Sequence, residues 1–133
     1  MTYLVCSGLL VLLYFTLSLN VSLTRQRTKT SIGPGDDPSG PMNKAMRTHG
    51  NAAEYIPLFV ALFLYFLMSG AGGWIRWVVI GVTVARFLHA IGMLMTPAFK
   101  GPPHQLRALG ALGTYVGGLL LGIALLMRAF IAL

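Results

Sequence analysis

Four long apolar runs, separated by short polar segments, divide the chain. The first, Leu4 to Leu23, is twenty residues long and can cross a hydrocarbon core of about 30 Å. Asn20 and the serines near its end point that end toward protein or the membrane interface. A basic border follows, Thr24-Arg25-Gln26-Arg27-Thr28-Lys29. The segment from Ser31 to Asn43 is so rich in glycine and proline that it reads as a loop. Its acidic pair, Asp36 and Asp37, reads as part of a solvated turn. A helix then begins near Met42 to Lys44, enters the membrane near Asn51 and runs to Ser69. Pro57 inside it removes one backbone hydrogen bond and predicts a kink.

Gly70-Ala71-Gly72-Gly73 predicts a tight turn, and Trp74 and Trp77 mark the next interface. The third run spans Trp77 to about Pro97, and the loop Ala98 to His104 follows it. The fourth runs from about Ala108 to Met127, with Arg107 at its entrance and Arg128 at its exit. Gly113/Gly117 and Gly118/Gly122 are spaced for close helix contact. The pattern predicts a single all-α domain, an integral membrane four-helix bundle. Its spans are about 4–23, 51–69, 77–97 and 108–127, with a polar loop at 24–46.

Composition agrees with this reading. The 133 residues are 56% hydrophobic and 10% charged, where a soluble domain carries about 25%. The net charge of +7 does not point to nucleic acid, because the basic residues are scattered or sit at the ends of apolar runs. Arg25, Arg27, Lys29, Lys44, Arg47, Lys100 and Arg107 fall on one side of the membrane, and Arg76 and Arg128 on the other. The positive-inside rule places the first side in the cytoplasm and both termini outside it. No basic stretch precedes the first run, which reads as a span and not as a cleaved leader. The lone Cys6 excludes an internal disulfide and reads as a packing residue.

The candidate chemistry lies where polar residues interrupt the apolar pattern. Arg47, Asn51, Glu54 and Tyr55 are spaced i, i+4, i+7 and i+8, so they share one stripe of the second helix. Glu54 is the only glutamate, and a carboxylate at that depth must face protein or a partner. On the third helix, Arg86 and His89 share a face at i and i+3. Arg86 lies nine residues past Trp77, about 14 Å along the axis, so it must face the bundle interior. Arg25, Arg47 and Arg107 ring the cytoplasmic mouth. Such a pocket suits a small polyanion carrying an amine, because arginine forks bind carboxylates bidentately.

Each feature also has a plainer explanation. Glu54 and Arg86 can be a structural ion pair, the three arginines can anchor phospholipid, and His89 can be an interior histidine. Tyr55, Tyr65 and Tyr115 can be packing aromatics. A metal site of His49, His89 and His104 lacks the donors to complete it.

Arg47-x3-Asn51-x2-Glu54-Tyr55-x-Pro57-Leu58-Phe59 resembles the second-helix signature of the MAPEG family, membrane-associated proteins in eicosanoid and glutathione metabolism. Arg86-Phe87-Leu88-His89 resembles that family's third-helix arginine-histidine pair. The resemblance covers essentially the whole chain and is nearest to short bacterial inner-membrane members. It implies a homotrimer of four-helix protomers with glutathione bound between neighbours. It further implies that Arg47 binds a glutathione carboxylate, Asn51 the peptide, and Glu54 the amino end, with Tyr55 lining the site. Arg86 and His89 belong to the same implied site, and Arg25 and His49 reach in from the adjacent protomer.

Arg107 resembles the arginine that stabilises the glutathione thiolate, which would attack an electrophile or peroxide dissolved in the lipid. The implied activity is that of a glutathione-dependent transferase or peroxidase on hydrophobic electrophiles. Two positions depart from the better-known members. Met93 stands where a tyrosine often lies one turn beyond the third-helix histidine, and Ala108 replaces the serine of prostaglandin E synthases. Prostaglandin isomerase activity is therefore not implied. Two other roles remain open: a non-catalytic lipid-binding or scaffold protein of the same fold, and a small transporter gated by Glu54 and Arg86.

Overall fold

The computed structural model describes residues 1–96 and 102–131. Four helices follow one another: α1 (Thr2–Thr28), α2 (Pro41–Met68), α3 (Trp74–Met95) and α4 (Gln105–Ile131). All four are long and apolar enough to cross a membrane. The expected all-α membrane bundle is what the chain forms. The expected end of the third span at Pro97, and Lys100 in the loop after it, lie outside the described residues.

The helices outrun the apolar spans for identifiable reasons. α1 continues through the basic border, where Arg25 and Arg27 in its last turn complement the negative end of the helix dipole. It stops at Lys29, which adopts the left-handed conformation (φ 52°) and donates its N–H to the Arg25 carbonyl. Gly40 caps α2, with Pro41 at the first helical position, where its missing N–H costs nothing. Gly70 and Gly73 take positive φ in the turn before α3, a conformation that glycine adopts without strain. At the head of α4 the Leu106 N–H donates to His104 Nδ1 at 3.2 Å, so His104 satisfies one of the helix's open donors.

Packing divides the bundle into two hairpins. α1 lies along α2, and α3 lies along α4, while α1 and α2 touch α3 less extensively. The α3–α4 seam is the tightest. A Cβ added to Gly92 would strike the Arg107 backbone, one on Gly110 would strike the backbone of Ala85 and His89, and one on Gly117 would strike the Val82 side chain. Lipid offers apolar side chains as good a home as protein does, so close approach of backbones is what holds such helices together. Of the glycine pairs seen in the sequence, Gly113/Gly117 belongs to this seam, against Ala85 and Val82. Gly118 instead meets the Phe59 ring on α2, and Gly122 has nothing within 4 Å.

The core between the hairpins holds Leu10, Phe63, Phe66, Val79, Val82 and Leu121, all essentially inaccessible. Leu12, Phe15, Leu58, Leu119 and Phe130 are exposed, as side chains facing hydrocarbon should be. Cys6 is buried in the core. At the terminal end, Tyr3 Oη donates to the Ala71 carbonyl at 2.8 Å, tying α1 to the α2–α3 turn. Tyr3→Phe keeps the ring and removes that bond. It is expected to cost about 1 kcal/mol, read as a lower thermal midpoint in detergent with an unchanged helical spectrum.

Candidate functional site

The polar stripe of α2 survives in three dimensions but is shared between two surroundings. Arg47 and Glu54 are exposed on an outer ridge of the helix, while Asn51 and Tyr55 are half-buried. Asn51 and Tyr55 turn toward α3 and α4, where they meet the deepest polar residue of the bundle.

That residue is Arg86, with 1% of its surface accessible. One terminal nitrogen donates to Asn51 Oδ1 at 2.8 Å and lies 3.4 Å from the Asn51 carbonyl. The other donates to Thr114 Oγ1 at 3.4 Å. The guanidinium carbon sits 5.1 Å from the centre of the Tyr55 ring, within range of a cation–π attraction. Tyr55 in turn meets Tyr115 edge-on, with ring centres 6.2 Å apart. The Thr114 hydroxyl in turn donates a hydrogen bond to the Gly110 carbonyl at 2.7 Å. One cation thus binds α2, α3 and α4 together.

The alternative pairing of Arg86 with Glu54 is not made. Glu54 lies near enough for its charge to act on Arg86, but the hydrogen bonds of Arg86 go to Asn51 and Thr114. The reason is rotational. Asn51 lies on the part of the stripe that turns inward, and Glu54, three residues on, lies on the exposed part. A gate built on a Glu54–Arg86 contact loses its premise. Arg86 Nε is buried without a hydrogen-bond partner among the described residues.

His89 is buried one turn along α3 and holds the head of α4. Its Nδ1 lies 3.0 Å from the Arg107 carbonyl. A carbonyl only accepts, so the ring carries its proton on Nδ1. Gly92, one turn further, lies directly against the Arg107 backbone. Both contacts fix where Arg107 starts from, and its side chain is half-buried at the loop end of the bundle. Met93 is buried, and Ala108 is exposed.

Arg25 and His49 lie elsewhere. Arg25 donates from Nη1 to the carbonyls of Thr30, Ser31 and Gly33 at 3.2 to 3.4 Å, and Nη2 lies 3.7 Å from Met46 Sδ. It organises its own loop. The His49 ring meets Tyr14 of α1 edge-on at 5.0 Å, and its Nδ1 is buried without a partner among the described residues. Both residues therefore sit on the α1 side of α2, away from Arg86.

Two apolar clefts flank α2. One, of about 400 Å³, lies against α1 between Val11, Tyr14, Phe15, Pro57 and Leu64. The other, of about 330 Å³, lies against α4 between Tyr55, Phe59, Leu62, Tyr115 and Gly118. Thr114 and Tyr14 are the members of these surroundings that sequence reasoning missed. Thr114 was legible as the one threonine inside the glycine-rich run of α4, and Tyr14 had no signal beyond an aromatic in a span.

The MAPEG family profile matches residues 3–127. Inner membrane protein YecN of Escherichia coli strain K12 is 32% identical over 91 residues, which are 68% of this chain and 66% of that protein. The protein of the same name from Escherichia coli O6:H1 strain CFT073 matches to the same extent. The aligned stretch is thus just under two thirds of these relatives' length. Four membrane-length helices, the α2 stripe and a profile match over nearly the whole chain lead to one statement: the chain belongs to the MAPEG family.

Proposed function

We propose that this protein binds glutathione within the membrane and uses its sulfur as a thiolate, as a transferase or peroxidase acting on lipophilic electrophiles. The observation that carries the reading is the α2 ridge. Arg47 and Glu54 present opposite charges on the outside of a spanning helix, beside the half-buried amide of Asn51. α2 is expected to enter the membrane near Asn51, so Glu54, about one turn further on, lies just within the span. A carboxylate there is costly unless something polar covers it. A small zwitterionic peptide offers a carboxylate to Arg47 and an ammonium to Glu54.

A homotrimer with glutathione between protomers fits the same surface. Arg25 and His49 lie on the other flank of α2, where they would serve the next protomer's site and not their own. The apolar cleft at Tyr55 and Tyr115 offers a place beside the stripe for the lipophilic partner. The name of the relatives supports a bacterial inner membrane location. A non-catalytic lipid-binding or scaffold role has one specific observation in its favour, the buried thioether of Met93 next to His89.

The test is a titration of purified protein with glutathione, following heat and the ultraviolet thiolate band together. Saturable binding with a thiolate signal is expected. Binding without that signal would favour the non-catalytic role, and no binding would refute the glutathione site.

A further inference from the structure

We infer that Arg86 is a positioning residue, which fixes the side-chain amide of Asn51 so that its NH2 group, and not its oxygen, faces the ligand. The inference rests on the glutathione reading for the ligand's identity, but the orientation rests on chemistry alone. A guanidinium has donors and no acceptor. The atom of Asn51 that lies 2.8 Å from Arg86 Nη2 must therefore be the oxygen. The same nitrogen also reaches the Asn51 backbone carbonyl, so both oxygens of this residue turn inward.

The NH2 group is left on the other side. It makes no hydrogen bond among the described residues, and it is not sealed in the core. Asn51 itself falls between Arg47 and Glu54 along the stripe. The ligand atom that meets Asn51 must then be an acceptor, a carboxylate or peptide carbonyl oxygen. An amide free to rotate would accept an N–H or ammonium equally well, and the stripe would lose its power to tell one end of a zwitterion from the other.

Arg86 is itself held on three sides, by Thr114, the Tyr55 ring and Asn51. It is too deep to reach a ligand on the ridge. Its influence on binding passes through Asn51.

The test uses full-length protein labelled with 15N at asparagine. Asn20, Asn43 and Asn51 are the only asparagines, and Asn51→Asp identifies the Asn51 signal by its disappearance. In ligand-free protein, Arg86→Lys should move the Asn51 NH2 pair and leave those of Asn20 and Asn43 in place. An unmoved Asn51 pair overturns the inference whether or not glutathione binds.

Asn51→Asp keeps an acceptor for Arg86 and removes the outward donor. Its thermal midpoint should be unchanged or raised, while glutathione binds about tenfold or more weakly, the worth of one hydrogen bond to a charged group. Native affinity in this variant overturns the inference. Arg86→Lys should weaken glutathione binding in the native background and add no further loss on top of Asn51→Asp. Additive losses would mean that Arg86 acts by general loosening, and they too overturn it. Failure of the unsubstituted protein to bind glutathione would instead overturn the glutathione reading, and the ligand-free spectra would still decide whether Arg86 orients Asn51.

Discussion

Alanine at Gly110 is expected to pull α3 and α4 apart. The added methyl would sit 2.6 Å from the Ala85 carbonyl oxygen and 2.7 Å from His89 Cα. Both are backbone atoms on the facing helix and cannot rotate away. Overpacking of this kind typically costs about 1–3 kcal/mol. Here the displaced helix also carries the His89–Arg107 bond and, through Thr114, one of the supports of Arg86. Gly110→Ala should lower the thermal midpoint in detergent by several degrees and abolish glutathione binding. Gly122→Ala is the control: nothing lies within 4 Å of its added Cβ, so its midpoint should match the native one. Equal behaviour of the two variants would refute this account of the seam.

Arg107→Ala should cut turnover about 100-fold to 1000-fold while leaving the bundle intact. Its backbone is held by His89 and Gly92 on α3, and alanine preserves those contacts. On the proposed mechanism the guanidinium stabilises a developing thiolate. A free thiol has a pKa of about 8.5, so only a few per cent is ionised at neutral pH. Losing one such donor typically costs about 100-fold to 1000-fold in rate. The residual rate should climb with pH toward the ordinary thiol range, where native protein is already at its plateau. Glutathione conjugation with a chromogenic electrophile, measured across pH, reads both effects. A variant with native rate and native pH profile would rule Arg107 out of the chemistry.

Much of this architecture was legible in the chain. The four apolar runs, the Gly70–Gly73 turn and the early start of α2 follow from length, hydropathy and the placing of glycine and proline. Helix ends were less exact, because apolar length marks the membrane and not the helix. α1 runs on through its basic border to Thr28, and α4 begins at Gln105, ahead of the apolar run.

The glycine spacing was informative but ambiguous. A four-residue period singles out Gly113 and Gly117, whereas the seam also uses Gly92 and Gly110. Periodicity on one helix cannot tell which neighbour it faces. The inward orientation of Arg86 was forced by its depth, but its partner was not. Charge arithmetic points to Glu54, and only rotation about α2 decides for Asn51. Likewise, a histidine and an arginine eighteen residues apart give no sign that one holds the other's carbonyl. The site's residue types were readable, and its division of labour needed coordinates.

The two-hairpin build bears on how the chain matures. α1 and α2 leave the ribosome first and can enter the bilayer as a unit. α3 follows carrying Arg86, which costs about 2.5–3.5 kcal/mol to place at the centre of a membrane helix. Asn51 is by then already in the bilayer, offering the oxygen that Arg86 adopts. Thr114, on the last helix, arrives afterwards to complete the set. Integration of the third span is thereby linked to the presence of the second, and the order of synthesis supplies each polar group with a waiting partner.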